Sequence, residues 1–343
     1  MEKPLRIGIL GAANIAKRAI IEPAKKLAGV EVFGVAARDI AKAEKFAQDY
    51  GIQEVFSSYH TLLESDRIDA VYIPLANHLH TPWIIKSAEA KKPILVEKPI
   101  CLSIEEFDAI QAAVETYGVP LLEAVMVQHH PWQKKLREIV ETGIYGNVKS
   151  IRTILTLQFA EAENSGNYRF SPDLGGGAFF DLGTYWIQFV QICLGLQPDG
   201  IAAQATLNKP GGVDEAFEAR IGFSNGAIAE FDCSFDRPFE ANHYLELENA
   251  HIKIRNFFRP LFGIQSMSLD VHHLDRGERE IIKFPVQNYY VNQLEFFVQM
   301  LAGHEQNLPL SQTRERVKIL EAIHRVAIHG SRDSCNRCVE TGL

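Results

Sequence analysis

Three side chains that could move protons stand in two short motifs of the sequence. Lys98 belongs to a Glu-Lys-Pro motif that ends an apolar run typical of a buried strand. Asp181 and Tyr185 follow the glycine run 175–177 and are four residues apart, so on a helix they share one face. Lys, Asp and Tyr together suit proton transfer without a metal ion. Taken singly, Asp181 could instead be a helix-start residue and Tyr185 a core aromatic.

A glycine turn after the first apolar run is the second chemical signal. Gly11-x-Ala13-x-x-Ala16 approximates the Gly-x-Gly-x-x-Gly fingerprint of a dinucleotide site. Ala13 replaces the glycine that lets backbone approach a pyrophosphate, so a plain strand–helix turn remains the alternative. At the end of the next strand-like run, Arg38 follows a small residue where NAD sites carry an acid. It could be a solvated strand-end residue, or it could pair with a 2′-phosphate, which favours NADP(H) over NAD(H).

These residues need a sheet edge to position them. In the first 125 residues, short apolar runs such as Leu5–Leu10 and Val30–Ala36 alternate with segments of helical periodicity. That alternation predicts an α/β fold with a doubly wound parallel Rossmann sheet, whose carboxyl edge binds ligands. Later alternating segments, such as Val148–Phe159 and Ala227–Phe235, are separated by short turns and predict an α+β domain with a large open, mainly antiparallel sheet. The last two segments, Val291–Gly303 and 312–329, have a helical pattern.

We therefore predict three parts of the chain. A dinucleotide-binding domain is expected at 1–124, a substrate-binding and oligomerisation domain at 125–330, and a tail at 331–343. The tail contains a lone CxxC, Cys335 and Cys338, without the second pair that a zinc site needs, so we expect no metal.

Composition limits the classes of protein to be considered. The chain has 343 residues, and its 35 basic and 43 acidic residues are interspersed with a net charge of -8, which argues against nucleic-acid binding. No apolar run reaches the ~18 residues of a membrane span, and the chain begins directly with a strand-like run. Five cysteines, an odd number, suit reduced thiols. We expect no membrane partner, no signal peptide and a cytoplasmic location.

The order of these motifs resembles the glucose–fructose oxidoreductase / inositol dehydrogenase (Gfo/Idh/MocA) family. The resemblance also covers the segments 72–80, 122–124, 130–131 and 167–170, and thus essentially the whole chain. The combination of Glu-Lys-Pro with Asp-x-Gly-x-Tyr is its specific part. Tyr185 stands where inositol dehydrogenases carry His, as in the branch with dihydrodiol dehydrogenases, NADP-dependent xylose dehydrogenases and nucleotide-sugar 3-ketoreductases.

The resemblance implies a cofactor site and a substrate site built from several loops. The implied cofactor residues are Gly11, Ala12, Ala13, Asn14 and Ile15 at the pyrophosphate, Arg38 at the adenosine 2′-phosphate, Pro74, Leu75, Asn77 and His80 at the ribose and nicotinamide, Glu97 and Lys98 beside the nicotinamide, and Arg169 nearby. A cis peptide bond is expected before Pro99. The substrate site is expected to contain Lys98, Asp181, Tyr185 and Tyr290.

The implied reaction is hydride transfer between NADP(H) and a carbinol or ketone carbon of a sugar or related cyclic polyol. Tyr185 would be the general acid/base; its unperturbed pKa of ~10 is too high for that work, and the Lys98 ammonium would favour the phenolate. Lys98 would also bond the reacting oxygen, and Asp181 would orient Lys98 or a substrate hydroxyl. Two alternatives stay open: a nucleotide-sugar 3-ketoreductase, and a non-catalytic cofactor-sensing regulator on the same fold. A homodimer or homotetramer through the C-terminal sheet is expected.

Overall fold

The computed structural model describes residues 3–159 and 166–330. The chain divides into two compact units. Of the described residues, those up to His129 together with Asn288–Gln312 form the first unit. Those of His130–Gln287 together with 313–330 form the second. The segment 288–312, which the sequence places in the second domain, therefore belongs to the first unit.

The helices of the described residues are numbered in chain order. They are α1 (Glu22–Ala24, preceded by a π-helical segment, Lys17–Ile21), α2 (Ile40–Tyr50), α3 (Tyr59–Glu64), α4 (His80–Glu89), α5 (Ile104–Tyr117), α6 (Pro131–Thr142), α7 (Ala178–Leu194), α8 (Tyr289–Leu301) and α9 (Leu310–Gly330). Polar side chains begin several of them: Ser103 accepts a hydrogen bond from Glu106 N at the start of α5, and Gly118, at φ +63°, ends that helix.

The first unit is built on a parallel sheet of six strands. The strands are β1 (Leu5–Leu10), β2 (Val30–Ala36), β3 (Glu54–Phe56), β4 (Ala70–Ile73), β5 (Ile94–Glu97) and β6 (Leu121–Ala124), in the order β3-β2-β1-β4-β5-β6. The strand order reverses between β1 and β4, which is the switch point where open α/β sheets bind ligands. Strands β1, β4 and β5 are almost entirely buried because helices cover both faces.

The second unit is built on a sheet of eight strands. They are β7 (Val148–Gln158), β8 (Gly200–Leu207), β9 (Asp214–Gly222), β10 (Ile228–Ser234), β11 (Asp236–Leu247), β12 (Ala250–Ile254), β13 (Met267–His273) and β14 (Arg279–Phe284), in the order β14-β13-β12-β11-β7-β10-β9-β8. The pairing of β10 with β7 is parallel, while the other pairings are antiparallel. The predicted fold class, a doubly wound parallel sheet plus a mainly antiparallel one, is confirmed.

Helix α7 packs along one face of this sheet and forms the core of the second unit. The Phe179 ring stacks on Phe217 at 4.2 Å, and the Trp186 ring stacks on Phe231 at 5.0 Å. Residues 178–190 are all buried. Burial of so many large side chains holds α7 rigidly on the sheet, and α7 carries both Asp181 and Tyr185.

Candidate active site

In the first unit, the turn after β1 has the geometry of a phosphate-binding turn. Gly11 has φ +120°, and a Cβ added there would lie 2.8 Å from Leu75 Cδ2, so only glycine fits. Its N–H donates to Ala36 O at 2.8 Å, and Ala13 N donates back to Gly11 O at 3.0 Å. The chain then enters the first helical turn, where Ala16 N donates to Ala13 O at 3.0 Å. The other N–H groups of a first turn have no acceptor one turn back. Backbone N–H groups at such a position attract a pyrophosphate.

At the end of β2, Arg38 is an exposed cation beside a buried phenol. Burial raises the pKa of Tyr59, while the Arg38 charge and a hydrogen bond from the Arg38 backbone oppose the rise. The neighbouring acid, Asp39, is engaged locally, because its carboxylate accepts from Ala41 N at 3.1 Å and so begins α2. The strand end therefore presents a guanidinium rather than a carboxylate, which suits a 2′-phosphate and not a free ribose 2′-hydroxyl.

At the end of β5, Glu97 and Lys98 stand next to a buried tyrosine. Tyr72 donates its hydroxyl to Glu97 Oε1 at 2.6 Å. Burial raises the pKa of Glu97, opposed by the Tyr72 hydrogen bond and the Lys98 ammonium. Burial, with Glu97 adding to it, raises the pKa of Tyr72 well above its usual value, so its hydroxyl remains a donor. Tyr290, at the start of α8, and Arg18 lie close enough to influence the pKa of Tyr72.

His80 ties the loops after β4 and β5 together. Its side chain is fully buried, with Nδ1 2.8 Å from Pro99 O and Nε2 3.0 Å from Leu75 O. Burial lowers the pKa of His80 to about 4, with the two carbonyls opposing the change. The neutral ring can donate to only one of the two carbonyls. The Lys98–Pro99 peptide bond is cis, as the resemblance implied.

The remaining predicted cofactor residues of this unit flank the same edge. Pro74 and Leu75 follow β4 directly, and Asn77, which is 2% exposed, begins the 3-10 turn that leads into α4. Ala12, Asn14 and Ile15 lie in the turn after Gly11. All of them therefore come after the carboxyl ends of β1 and β4, the two strands that flank the switch point.

In the second unit, Arg169 and Asp181 form a bidentate ion pair. Arg169 Nε lies 2.7 Å from Asp181 Oδ2, and Arg169 Nη2 lies 3.1 Å from Asp181 Oδ1. Burial disfavours the Arg169 charge, but the Asp181 carboxylate, together with Tyr168 and Tyr185, outweighs burial and raises the pKa of Arg169. The Arg169 side chain is 29% exposed and that of Asp181 is 6% exposed. The pair is thus a fixed dipole with its cation toward solvent.

Tyr185 lies one turn further along α7, within the field of this ion pair. It is 6% exposed and close enough to contribute to the pKa of Arg169. The ring of Phe258 packs edge-on against it with centroids 5.0 Å apart, and Phe257 lies beyond at 6.4 Å. Tyr185 is therefore a phenol with an apolar wall on one side and a guanidinium nearby, an environment that suits a proton-transfer group.

The predicted site residues thus fall into two clusters. Lys98, Glu97, His80 and Tyr290 belong to the first unit, and Asp181, Tyr185 and Arg169 belong to the second. The pairing of Lys98 with Tyr185 stays a prediction. Sequence reasoning assigned no role to Tyr59 or Arg18, whose only sequence signals were an aromatic and a basic side chain near predicted strand and helix ends. It gave no individual role to Tyr72, which lies in the resembling segment 72–80, or to Phe258, which lies in a segment, 256–260, that resembles the nucleotide-sugar 3-ketoreductases. Cys335 and Cys338 lie outside the described residues.

The first unit fits a dinucleotide that carries a 2′-phosphate. Any Cβ at position 11 would fill the turn after β1. The exposed guanidinium of Arg38 lies just after the end of the adjacent strand, β2. Within residues 3–159 and 166–330, no helix is long and apolar enough to cross a membrane, and no three His, Cys, Asp or Glu side chains cluster as metal ligands do.

This fold and this set of residues define a dinucleotide-binding oxidoreductase with a separate α+β domain. The profile of the GFO/IDH/MocA oxidoreductase family, with its NAD-binding Rossmann fold, matches residues 5–125, and that of the family's C-terminal domain matches residues 133–250. The chain belongs to the Gfo/Idh/MocA oxidoreductase family. The predictions of the family, the fold class and an oxidoreductase are confirmed.

Individual relatives cover nearly the whole chain. An uncharacterized oxidoreductase of Rhizobium meliloti is 30% identical over 334 residues, which is 95% of this chain and 98% of that protein. D-xylose 1-dehydrogenase (NADP(+)) 2 of Haloferax volcanii is 29% identical, covering 94% of this chain and 96% of that protein. The crystal structure of a 3-ketoreductase from Actinomadura kijaniata, in complex with NADP and TDP-benzene, has a TM-score of 0.85 at 23% identity, covering 95% of this chain and 98% of that one.

Proposed function

We propose that the chain is an NADP(H)-dependent oxidoreductase that moves hydride between nicotinamide and a carbinol or ketone carbon of a sugar or related cyclic polyol. The observation that carries the proposal is Tyr185, a nearly buried phenol in the field of the Arg169 guanidinium on the domain that the family uses beside its Rossmann fold. The xylose dehydrogenase of Haloferax volcanii supports both the cofactor and the substrate class.

The first unit supplies the cofactor-binding residues. The turn at Gly11, with Ala12, Ala13, Asn14 and Ile15, holds the pyrophosphate, and Arg38 pairs with the 2′-phosphate. Pro74, Leu75, Asn77 and His80 line the ribose and nicotinamide side, with Glu97 and Lys98 beside them. When bound, the nicotinamide supplies the hydride chemistry; the protein supplies position and proton movement.

Tyr185 is the general acid/base of this proposal. As an alcohol is oxidised, its phenolate takes the hydroxyl proton; when a ketone is reduced, the phenol returns it. Lys98 bonds the reacting oxygen and, as a cation, favours the phenolate. Arg169 adds a second positive charge near the phenol, a contribution that the sequence did not suggest. Asp181 accepts two hydrogen bonds from Arg169, and a carboxylate has further lone pairs for a substrate hydroxyl or the Lys98 ammonium.

A second candidate is reduction of a nucleotide-linked 3-keto-sugar. Arg259 is an exposed cation that directly follows Phe258, whose ring packs on Tyr185. A phosphate-bearing substrate needs such a cation where its phosphates lie, at the mouth of the pocket. The ketoreductase fold from Actinomadura kijaniata, determined with TDP-benzene, supports this candidate.

The experiment that tests both candidates is a substrate panel. The purified protein is incubated with NADP or NADPH and with pyranoses, polyols, their keto forms and nucleotide-linked keto-sugars, and NADPH absorbance is followed. Turnover of free sugars that Arg259→Ala leaves unchanged supports the first candidate. Turnover of nucleotide sugars with a KM that Arg259→Ala raises supports the second. No turnover of any member refutes both.

We further propose a homodimer or homotetramer assembled through the second sheet, in the cytoplasm. The outer face of β7–β10 carries a shallow cavity of about 410 Å³ lined by Arg152, Arg220, Glu218 and Glu230, among others. Interspersed charges of both signs on one face suit a self-complementary contact between two copies. Sedimentation of the wild type and of Arg220→Glu measures the oligomeric state. A monomer in both proteins contradicts the proposed assembly.

A further inference from the structure

Helix α7 begins without a capping side chain of its own. Its N-cap is Gly177, which has no side chain to accept hydrogen bonds from the first turn. The acceptor comes instead from the start of β9, where Asp214 Oδ2 lies 2.7 Å from Phe179 N. Asp214 is 35 residues from Phe179 in the chain and only 2% exposed. A strand of the sheet therefore satisfies the N–H groups at the start of this helix.

The glycine run explains how the carboxylate reaches the helix. A Cβ on Gly177, at φ +117°, would collide with Asp214 Oδ1. A Cβ on Gly176 would lie 2.5 Å from Arg169 O, and Gly177 N donates to that same oxygen at 2.8 Å. The chain thus passes between the Arg169 backbone and the Asp214 side chain. Gly176 and Gly177 therefore leave room for the protein's own backbone and carboxylate.

The charge of Asp214 is balanced by backbone N–H groups rather than by a cation. Burial raises the pKa of Asp214 to about 7, and hydrogen bonds from the N–H groups of Phe179, Asp214 itself and Ala178 oppose the rise. Among the described residues, no Lys or Arg lies within ion-pair distance of it. The partial positive charge of a helix N-terminus stabilises such a carboxylate.

We propose that Asp214 is a positioning residue of this enzyme: its ionised carboxylate fixes the start of α7 and so sets where Asp181 and Tyr185 stand. Asp181 lies in the first turn of α7 and Tyr185 in the second, so movement of the first turn moves both. The inference rests on the proposed function, because it gives Asp214 a role in turnover only if Tyr185 is the acid/base.

Other titratable side chains lie near Asp214. From α9, the His324 ring stacks on that of Phe179, whose N–H donates to Asp214, and Cys233 lies on the neighbouring strand. Burial raises the pKa of Cys233, on β10, well above its usual value, and the charges of Asp214 and Asp181 add to the rise. The Cys233 thiol therefore stays neutral over the working pH range. Asp181 itself is paired with Arg169. A protonation near neutral pH is therefore assigned to Asp214 only by its absence in Asp214→Asn.

The first arm of the test measures the anchor without any substrate. Hydrogen exchange of the peptide covering residues 175–185 is compared in the wild type, Asp214→Asn and the control Asp199→Asn, an exposed aspartate of the same unit. The amides at the start of α7 should exchange roughly 10- to 100-fold faster in Asp214→Asn, because that factor corresponds to the loss of one charge-assisted hydrogen bond. Asp199→Asn should match the wild type. Equal protection in all three would overturn the proposal.

The second arm measures turnover against pH with NADPH and the best substrate of the panel. In the wild type, kcat should fall as pH drops through about 7 and the carboxylate takes up a proton. In Asp214→Asn, kcat should be about 10- to 100-fold lower at pH 8, because even a small misplacement of a reacting group lowers the rate by about that factor. That variant should lack this acid limb while binding NADPH normally.

The outcomes separate this inference from the proposed function. An unchanged acid limb in Asp214→Asn, or a loss of thermal stability with normal kcat, means that Asp214 is merely structural. If the wild type turns over no member of the panel, the proposed function fails. The exchange arm then decides by itself whether Asp214 anchors α7.

Discussion

The Arg169–Asp181 pair offers a quantitative test of how α7 is held. Replacing Arg169 with Met removes the guanidinium but keeps much of the side-chain volume. It leaves the Asp181 carboxylate, 6% exposed, without the partner that donates to both of its oxygens. A buried charge without its counter-ion is costly, so the loss should far exceed that of a surface pair.

The magnitude follows from the exposure of the two partners. Breaking a fully buried pair costs about 3–5 kcal/mol. The Arg169 side chain is 29% exposed, so water partly replaces it, and we expect Arg169→Met to lower the free energy of unfolding by about 2–3 kcal/mol. The control is the surface pair Lys135–Glu138 of the same unit. Lys135→Met should lower the free energy of unfolding by less than about 1 kcal/mol.

Urea unfolding of the single and double variants measures these values. Asp181→Asn added to Arg169→Met removes the buried carboxylate that has lost its guanidinium, so the double variant should be more stable than Arg169→Met alone. The penalty of Arg169→Met should also shrink as pH falls, because a buried carboxylate without its cation takes up a proton more readily. Additive losses in the double variant would refute the reasoning, since they would mean that the carboxylate does not depend on the guanidinium.

Two more predictions concern the first unit. Arg38→Ala should weaken NADPH binding by about 10- to 100-fold while leaving NADH binding unchanged, because one charge-assisted contact to the 2′-phosphate is lost. Binding of both cofactors is measured by their fluorescence, with the exposed Lys42→Ala as the control. Equal losses of NADPH and NADH binding in Arg38→Ala would contradict the role of Arg38. In the folded chain the pKa of His80 is lowered to about 4. Between about pH 6.5 and 4, the unfolded chain therefore binds a proton that the folded chain does not bind. The stability of the fold is lost as pH falls through that window. His80→Gln should reduce this loss in urea unfolding at pH 7 and pH 5, whereas the exposed control His60→Gln should not; an unchanged loss in His80→Gln would contradict the assignment.

The parallel sheet could be predicted from the sequence because its strands are buried on both faces. Leu5–Leu10 and Val30–Ala36 are the observed bounds of β1 and β2, since continuous apolar runs between polar turns leave little choice of ends. The turn at Gly11 and the Glu-Lys-Pro motif follow such runs directly, which places them at the carboxyl edge.

The second sheet could be predicted only in outline. Alternation locates β7 and β10, but the parallel pairing of two strands so far apart in the chain depends on connections that alternation does not encode. Strand β3 and helix α3 are too short to show a periodic pattern in the sequence. Nothing in the sequence therefore placed Tyr59, which begins α3, at the cofactor end of the sheet.

Contacts between distant residues were beyond sequence reasoning altogether. Arg169 and Asp181 are 12 residues apart and meet because the glycine run folds the chain back, and Asp214 reaches α7 from a strand. A single acid at the start of a strand looks like an ordinary turn residue. The packing of Phe258 against Tyr185 likewise follows from where the loop after β12 lies, not from its composition.

The measurement that tests the central claim most directly is kcat of Tyr185→Phe on the best substrate, with NADPH affinity determined alongside. If Tyr185 is the acid/base, kcat should fall by about 10²–10⁴ while NADPH still binds. Lys98→Met should do comparable damage, and the double variant should cost much less than the product of the two, because a coupled pair fails as a unit. Near-normal kcat in Tyr185→Phe, or small additive losses that track stability, would contradict the account.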